Sequence, residues 1–174
     1  MQQTTIERLD DMRHVEITAD VPGTPAARAY EVLRDFEHYA DLTDAVRSVT
    51  VTSGSDGELT SIWEVNFRSG VLRWTEVDRL DDSTLTMTFE QVDGDFDHFS
   101  GVWKVDDADG GCVVRFKADF DLGMPSLGHI IDPIAENALQ ENISIILRGL
   151  LGEAVSVHSD DSESRAAVSA VPVV

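Results

Sequence analysis

ELTSIWEVNF (58–67), GVLRWTEVDRL (70–80), STLTMTFEQV (83–92), FDHFSGVWKV (96–105) and CVVRFKADFDL (112–122) follow one another, separated by turns built on RSG, DD, DGD and DDADGG. Each segment alternates apolar and polar residues, the period-two pattern of a strand with one buried face. Turns this short join neighbouring strands antiparallel, so the stretch predicts a continuous meander. Beyond GMPSLG (123–128), HIIDPIAENALQENISIILRGLLGEAV (129–155) carries an apolar stripe with few charges. A helix of that kind is held against a sheet. A curved sheet closed over a helix encloses a cavity, and Trp63, Trp74 and Trp103 on three of the strands suit a flat or greasy occupant.

Working outward, HVEITADV (14–21) reads as a first strand and VRSVTVTS (46–53) as a second. Between them, Thr24-Pro25 reads as an N-cap followed by proline at the first helical position. The helix is expected to run to about His38, with Ala26, Ala29, Tyr30, Leu33 and Phe36 forming one apolar face. YADLTDAV (39–46) is a second short helix or turn. In the long helix, Ile134, Ala138, Asn142, Ile145 and Gly149 lie close to one stripe, flanked by Ile131, Ala135, Leu139 and Ile146. Asp132-Pro133 is a candidate start for it. The expected class is α+β: a curved seven-stranded antiparallel sheet wrapped on a long C-terminal helix, with two short N-terminal helices. One domain spans 13–155, and residues 1–12 and 156–174 read as flexible tails.

A chain of 174 residues with 42% hydrophobic content can build a real core. Its net charge of −20, from 33 acidic against 13 basic residues, repels phosphate backbones and anionic bilayers. Nucleic acid and membrane insertion are therefore not expected. Cys112 is the single cysteine, so no intramolecular disulfide and no thiolate-rich zinc site can form. His14, His38, His129 and His158 lack paired ligand spacing, so no metal is expected. No G-x-S-x-G, glycine-rich phosphate loop or H-E-x-x-H occurs, and no cofactor is expected. MQQTTIERLDDM lacks the basic-then-apolar pattern of a signal peptide, and no apolar run approaches bilayer length. A cytoplasmic protein is the expectation.

Strand alternation sorts the side chains into faces. The inward sets are Trp63, Val65 and Phe67; Leu72, Trp74, Glu76 and Asp78; Leu85, Met87 and Phe89; Phe99, Gly101, Trp103 and Val105; and Val114, Phe116, Ala118 and Phe120. From these, Trp63, Phe67, Trp74, Met87, Phe89, Trp103 and Phe116, with Ala138 and Asn142 from the helix, are the candidate ligand-binding residues. The same composition also fills ordinary cores. Glu76 is the polar residue of most interest. A desolvated carboxyl has a raised pKa and can exchange protons near neutrality, although a solvated cavity mouth, or a pairing with a sheet arginine such as Arg68, is the simpler place for it. Tyr30, on the helix's apolar face, and His98, beside a turn, complete the candidate catalytic set, with alternation placing His98 outward.

TPAARAYEVLRDFEHYADLTDAVRSVTV, GVLRWTEVDRLDD, DGDFDHFSGVWKV and FKADFDLGMP leading to NALQENISIILRGLL resemble, in order, the first helix and turn, pocket strand, hairpin and final strand with gripping helix of the helix-grip fold. That fold is shared by START-like and birch-pollen-allergen-like domains. The resemblance covers about residues 13–155 and is closest to bacterial polyketide aromatase/cyclases and coenzyme Q-binding proteins. It implies an enzyme that folds a poly-β-ketone chain and directs aldol closure and dehydration, with an acyl carrier protein as a candidate partner. One departure stands out. The tetracenomycin-type enzymes carry a pocket arginine four residues past the pocket tryptophan, and from Trp74 that position is Asp78. Arg79 is one residue further, on the opposite face of a regular strand unless a bulge restores it.

Two readings follow. In the first, the protein is a polyketide cyclase/aromatase in which Glu76, Tyr30 and His98 assist proton transfer. In the second, the cavity carries a quinone, lipid or polyketide unchanged. Arg68, Arg73 and Arg79 are candidates for a phosphopantetheine arm or, more simply, strand cations on an acidic protein. Acyl carrier proteins are themselves usually acidic, so this surface suits a released intermediate better than a docked one. A homodimer is left open.

Overall fold

The computed structural model describes residues 12–54, 57–67, 70–123 and 128–159, without the side chains of Phe67, of 128–133 and of Ala135. Eight strands form one sheet: β1 (Arg13–Pro22), β2 (Val46–Ser53), β3 (Glu58–Phe67), β4 (Gly70–Asp81), β5 (Thr86–Gly94), β6 (His98–Ala108), β7 (Gly111–Asp121) and β8 (Ser156–Ser159). The spatial order is β2-β3-β4-β5-β6-β7-β1-β8. Every pairing is antiparallel, so the meander from β2 to β7 is closed on its far side by the chain's first strand. This is the helix-grip fold. Helix α1 (Ala26–Leu33) and a 3-10 helix (Phe36–Asp41) follow β1, and helix α2 (Gly128–Leu151) packs against the concave face.

The eighth strand corrects the expected boundary. Ser156–Ser159 pairs with Asp20–Ile17, and His158 Nε2 lies 3.2 Å from Asp20 Oδ2. SVHS alternates too briefly to stand out from the polar sequence after it, and β1's free edge supplies the pairing that the sequence does not announce. Residues 160–174 and 1–11 of the expected tails lie outside the described residues.

The first helix is shorter than its apolar spacing suggests. Pro25, not Thr24, takes the cap position, with extended backbone and no side-chain cap. Asp107 on β6 substitutes, its Oδ1 accepting the Ala26 N–H at 3.1 Å. Asp35 then leaves helical geometry (φ −85°, ψ 72°), which turns Phe36 and Tyr39 into the interior on a tighter 3-10 turn. The stripe of α2 is also rotated by about one residue from the expected one. Ile143, Ile146 and Leu147 are buried, whereas Ile145 is 46% exposed and Gly149 is exposed as well. The helix begins ahead of Asp132-Pro133, at Gly128.

Alternation places the strand interiors as expected. Trp63, Trp74, Met87, Phe89, Phe99, Trp103, Val105, Val114, Phe116, Ala118 and Phe120 are all buried. Each large aliphatic or aromatic side chain removed from water contributes about 1.5–3 kcal/mol, so this face carries the stability of the fold. Gly101 does not leave a gap in it. A Cβ there would lie 2.5 Å from Cζ of Phe89, so the glycine seats that ring. Cys112 is buried in the core, where burial and then Asp107 push its thiol pKa up.

Candidate functional site

Between the sheet and α2 lies a cavity whose space open to the centres of water molecules is about 130 Å³. A water takes up about 30 Å³ of the liquid, so the space exceeds a single-water packing defect several-fold. Its wall is a run of touching rings. Trp63 and Trp74 face each other across β3 and β4 and stack with centroids 5.8 Å apart and planes within 1°. Phe36 and Tyr39 pack on Trp63 at 5.8 and 5.7 Å. Phe96 and Phe99 both meet Trp74 at 5.4 Å, and Phe89, Phe116 and Trp103 continue the run. Close approach at Trp74 requires Gly94 (φ 145°), because a Cβ there would come within 2.5 Å of the Trp74 Cα. From α2, Ala138, Leu139, Asn142, Ile143 and Ile146 form the roof.

Two carboxyl groups interrupt this apolar wall. Glu76 and Asp78, successive inward positions of β4, both line the cavity and are 5% and 2% exposed. Ser61, fully buried on β3 directly opposite Glu76, lies between them: its Oγ is 3.2 Å from Glu76 Oε1 and 2.5 Å from Asp78 Oδ2. The indoles complete the cluster. Trp63 Nε1 donates to Ser61 Oγ at 2.9 Å, and Trp74 Nε1 donates to Glu76 Oε2 at 3.3 Å. Among the described residues, no Lys, Arg or His lines the cavity. Desolvation therefore dominates. Burial first, then the neighbouring Asp78 charge, raises the Glu76 pKa well above the usual carboxylate range. Burial also raises Asp78, to about 6, with bonds from Ser61 and Glu76 opposing the shift. Burial thus lifts both carboxyls out of the ordinary range and toward neutrality, where a carboxyl can exchange protons with a reacting group.

Of the candidate residues, Glu76, Trp63, Trp74, Met87, Phe89, Trp103, Phe116, Ala138 and Asn142 come together around the cavity. The side chain of Phe67 lies outside the described residues. Tyr30 and His98 do not reach the cavity. Tyr30 turns its hydroxyl to the Thr86 carbonyl oxygen at 3.4 Å, and burial followed by Asp82 lifts its pKa to about 12. His98 stands on the outer face, where Nε2 meets Ser100 Oγ at 2.8 Å. Tyr39, not Tyr30, is the tyrosine that lines the cavity, its hydroxyl donating to the Leu33 carbonyl at 2.6 Å. Burial and then the charges of Glu76 and Asp78 push its pKa up. The sequence reading also passed over Phe96 and Ser61. Ser61 shares the parity of Trp63 and Val65, which is the signal that could have found it.

Arg79 points outward, 60% exposed, with Nε 3.5 Å from Glu58 Oε2. The pairing of β4 with β5 does shift register, but the extra residue, Val92, is on β5. Alternation along β4 is untouched, and no bulge carries Arg79 inward.

Known structures share this architecture. A protein from Thermus thermophilus superposes with a TM-score of 0.70 at 24% identity, covering 90% of this chain and 99% of that one. The Zhui aromatase/cyclase from Streptomyces sp. R1128 gives 0.69 at 24% identity, covering 90% and 98%. A START superfamily protein from Mycobacterium smegmatis gives 0.64 at 13% identity, covering 79% and 97%. At such identities the likeness is one of fold. No curated protein matches the sequence. The sequence does match a family model over residues 23–146, a span running from the turn before α1 through β7 to Ile146 in the cavity roof. The chain belongs to the polyketide cyclase/dehydrase and lipid transport family.

Proposed function

We propose that this protein is a polyketide cyclase/aromatase that folds a poly-β-ketone chain within the cavity and promotes aldol closure and dehydration. The observation that carries this reading is the pair of carboxyl groups, Glu76 and Asp78, set in an otherwise aromatic and aliphatic wall with no cation among the described residues that line it. A carrier of greasy molecules needs only the wall. Two buried acids weaken the fold without helping retention of an apolar ligand, so their presence favours chemistry.

The methylene between two ketones is acidic enough for a carboxylate to deprotonate when water is excluded. Asp78, the more acidic of the two, serves as base, and Glu76, kept protonated, as acid toward the β-hydroxyl that departs as water. The aromatic wall holds one folded conformer, so positioning supplies part of the rate. The substrate is a released chain, because a surface with net charge −20 gains nothing electrostatically from docking an acidic carrier protein.

The test compares wild type with Glu76→Gln on a reactive poly-β-ketone or mimic, by product profile. The expected result is a loss of ring closure and dehydration of about 10²–10⁴-fold with folding retained. Equal product profiles from both proteins, or tight binding without turnover in both, would return the protein to the carrier class.

A further inference from the structure

The hydrogen bonds around Ser61 fix a proton count. Its oxygen has one hydrogen and two lone pairs. Three partners surround it: Trp63 Nε1 at 2.9 Å, Asp78 Oδ2 at 2.5 Å and Glu76 Oε1 at 3.2 Å. The indole is an obligate donor and occupies one lone pair. The single hydroxyl hydrogen satisfies one carboxyl oxygen, and the shorter contact is to Asp78. Glu76 Oε1 then meets the remaining lone pair, which it can bond only by bringing a hydrogen of its own. Its other oxygen accepts from Trp74 Nε1 at 3.3 Å. One proton shared by the two carboxyls completes the arrangement; held on Glu76, it leaves Asp78 a carboxylate with Ser61 between them, beside the direct bond that Glu76 and Asp78 also make.

We propose that Ser61 is a positioning residue that joins Glu76 and Asp78 into a relay holding one proton between them. This deepens, and rests on, the cyclase reading. In dehydration of the β-hydroxy ketone, the Asp78 carboxylate takes the proton from the carbon between the hydroxyl-bearing carbon and the ketone. The C–O bond breaks as Glu76 delivers its proton, and water leaves. Asp78 is now protonated and Glu76 ionised. Asp78 passes its proton to Ser61 Oγ while Ser61 passes its own to Glu76, which restores the starting state without exchange with solvent. No oxidant, reductant or metal enters the balance.

The surroundings leave few competing groups. Among the described residues lining the cavity, the remaining titratable one is Tyr39, from the 3-10 helix. Its hydroxyl is committed to the Leu33 carbonyl, and Asp35 acts on it in turn. From β5 the facing cavity-lining side chains include Met87 and Phe89, and from α2 Asn142, all without ionisable groups.

The experiment titrates the side-chain carboxyl carbons by NMR in ligand-free wild type, Ser61→Ala and Ser61→Thr, and measures kcat and KM for the same poly-β-ketone. Wild type is expected to ionise in two separated steps. Ser61→Ala loses the donor to Asp78, so the lower step moves up by about one unit. Its kcat for dehydration falls by about 10–100-fold, with KM little changed. Ser61→Thr, which keeps the hydroxyl, restores both. A Ser61→Ala titration that superimposes on wild type overturns the relay, whatever the turnover. Separated steps that collapse in Ser61→Ala, with no turnover by wild type, leave the coupled pair standing and overturn the cyclase reading instead.

Discussion

Strand β4 carries its charges on two faces, and they have opposite fates. Outward, Arg73 Nε sits 2.9 Å from Glu64 Oε1, and Arg79 pairs with Glu58 at 3.5 Å, all in contact with water. The bond from Arg73 lowers the Glu64 pKa, the ordinary behaviour of a paired surface carboxylate. Inward, one to three residues along β4, Glu76 and Asp78 meet no cation among the described residues lining the cavity, and burial raises both. The chemical groups are the same, and the strands, β3 and β4, are hydrogen-bonded neighbours. Parity alone decides whether a carboxyl is a solvated ion or a proton reservoir, because each step along a strand reverses the face. The outer pairs add little to stability, while the inner pair costs stability that the aromatic core must offset.

The largest expected effect tests that offset. Phe120 is fully buried on the inner face of β7. Phe120→Ala is expected to destabilise the fold by about 3–5 kcal/mol, read by urea unfolding at pH 7. The next effect has the opposite sign on the same face. The folded-state pKa of Asp78 is raised from 3.8 to about 6, so between these values the native state binds more protons than the unfolded chain. Stability therefore falls as pH rises through that window, and the cost is fully present above it. Asp78→Asn removes the cost. It should match wild type near pH 4 and exceed it by about 1–3 kcal/mol at pH 8. Comparing variant with wild type at each pH cancels the titration of the acidic surface. A variant less stable than wild type at pH 8 would show that Asp78 is compensated by something other than burial, and the contrast between faces would lose its basis.

The sequence made the inner face legible because the strand period is two and the residues at that period are large and apolar. It placed Trp63, Trp74, Glu76 and Asp78 inward, and all four are buried. The helices were less legible. A 3.6-residue period leaves the apolar stripe of a weakly charged helix free to rotate by a residue, as Ile145 shows, and only packing fixes the angle. Tyr30 and Tyr39 could not be ranked from sequence. Both lie in apolar-faced helical segments, and the break at Asp35 that sends Tyr39 to the cavity is a backbone event with no side-chain signature. Ser61 was legible by parity but chemically silent. A serine between Leu59 and Trp63 on one strand face gains meaning only when the strand opposite is known to bring two carboxyls to it. β8 depends on β1's open edge, a partner at the far end of the sequence.

The smallest expected effect bears most directly on the departure from the tetracenomycin-type pattern. Where those enzymes have a pocket arginine, this chain has Asp78, and its nearest arginine lies across the sheet plane with Glu58. Arg79→Ala should therefore change stability by less than about 0.5 kcal/mol. It should also leave kcat and KM for the poly-β-ketone within about twofold of wild type. A tenfold loss of kcat would mean that the guanidinium reaches the substrate in the bound state, which would end the division of labour between the faces. With Arg79 outside, a developing enolate oxygen meets no cation from the described wall. On the cyclase reading its stabilisation falls to hydrogen-bond donors, and Glu76, whose pKa burial raises, is the acid among those lining the cavity. On the proposed cyclase reading, this chain's chemistry rests on a buried carboxyl where the tetracenomycin-type pattern has an arginine, and it depends on the burial that raises the Glu76 pKa.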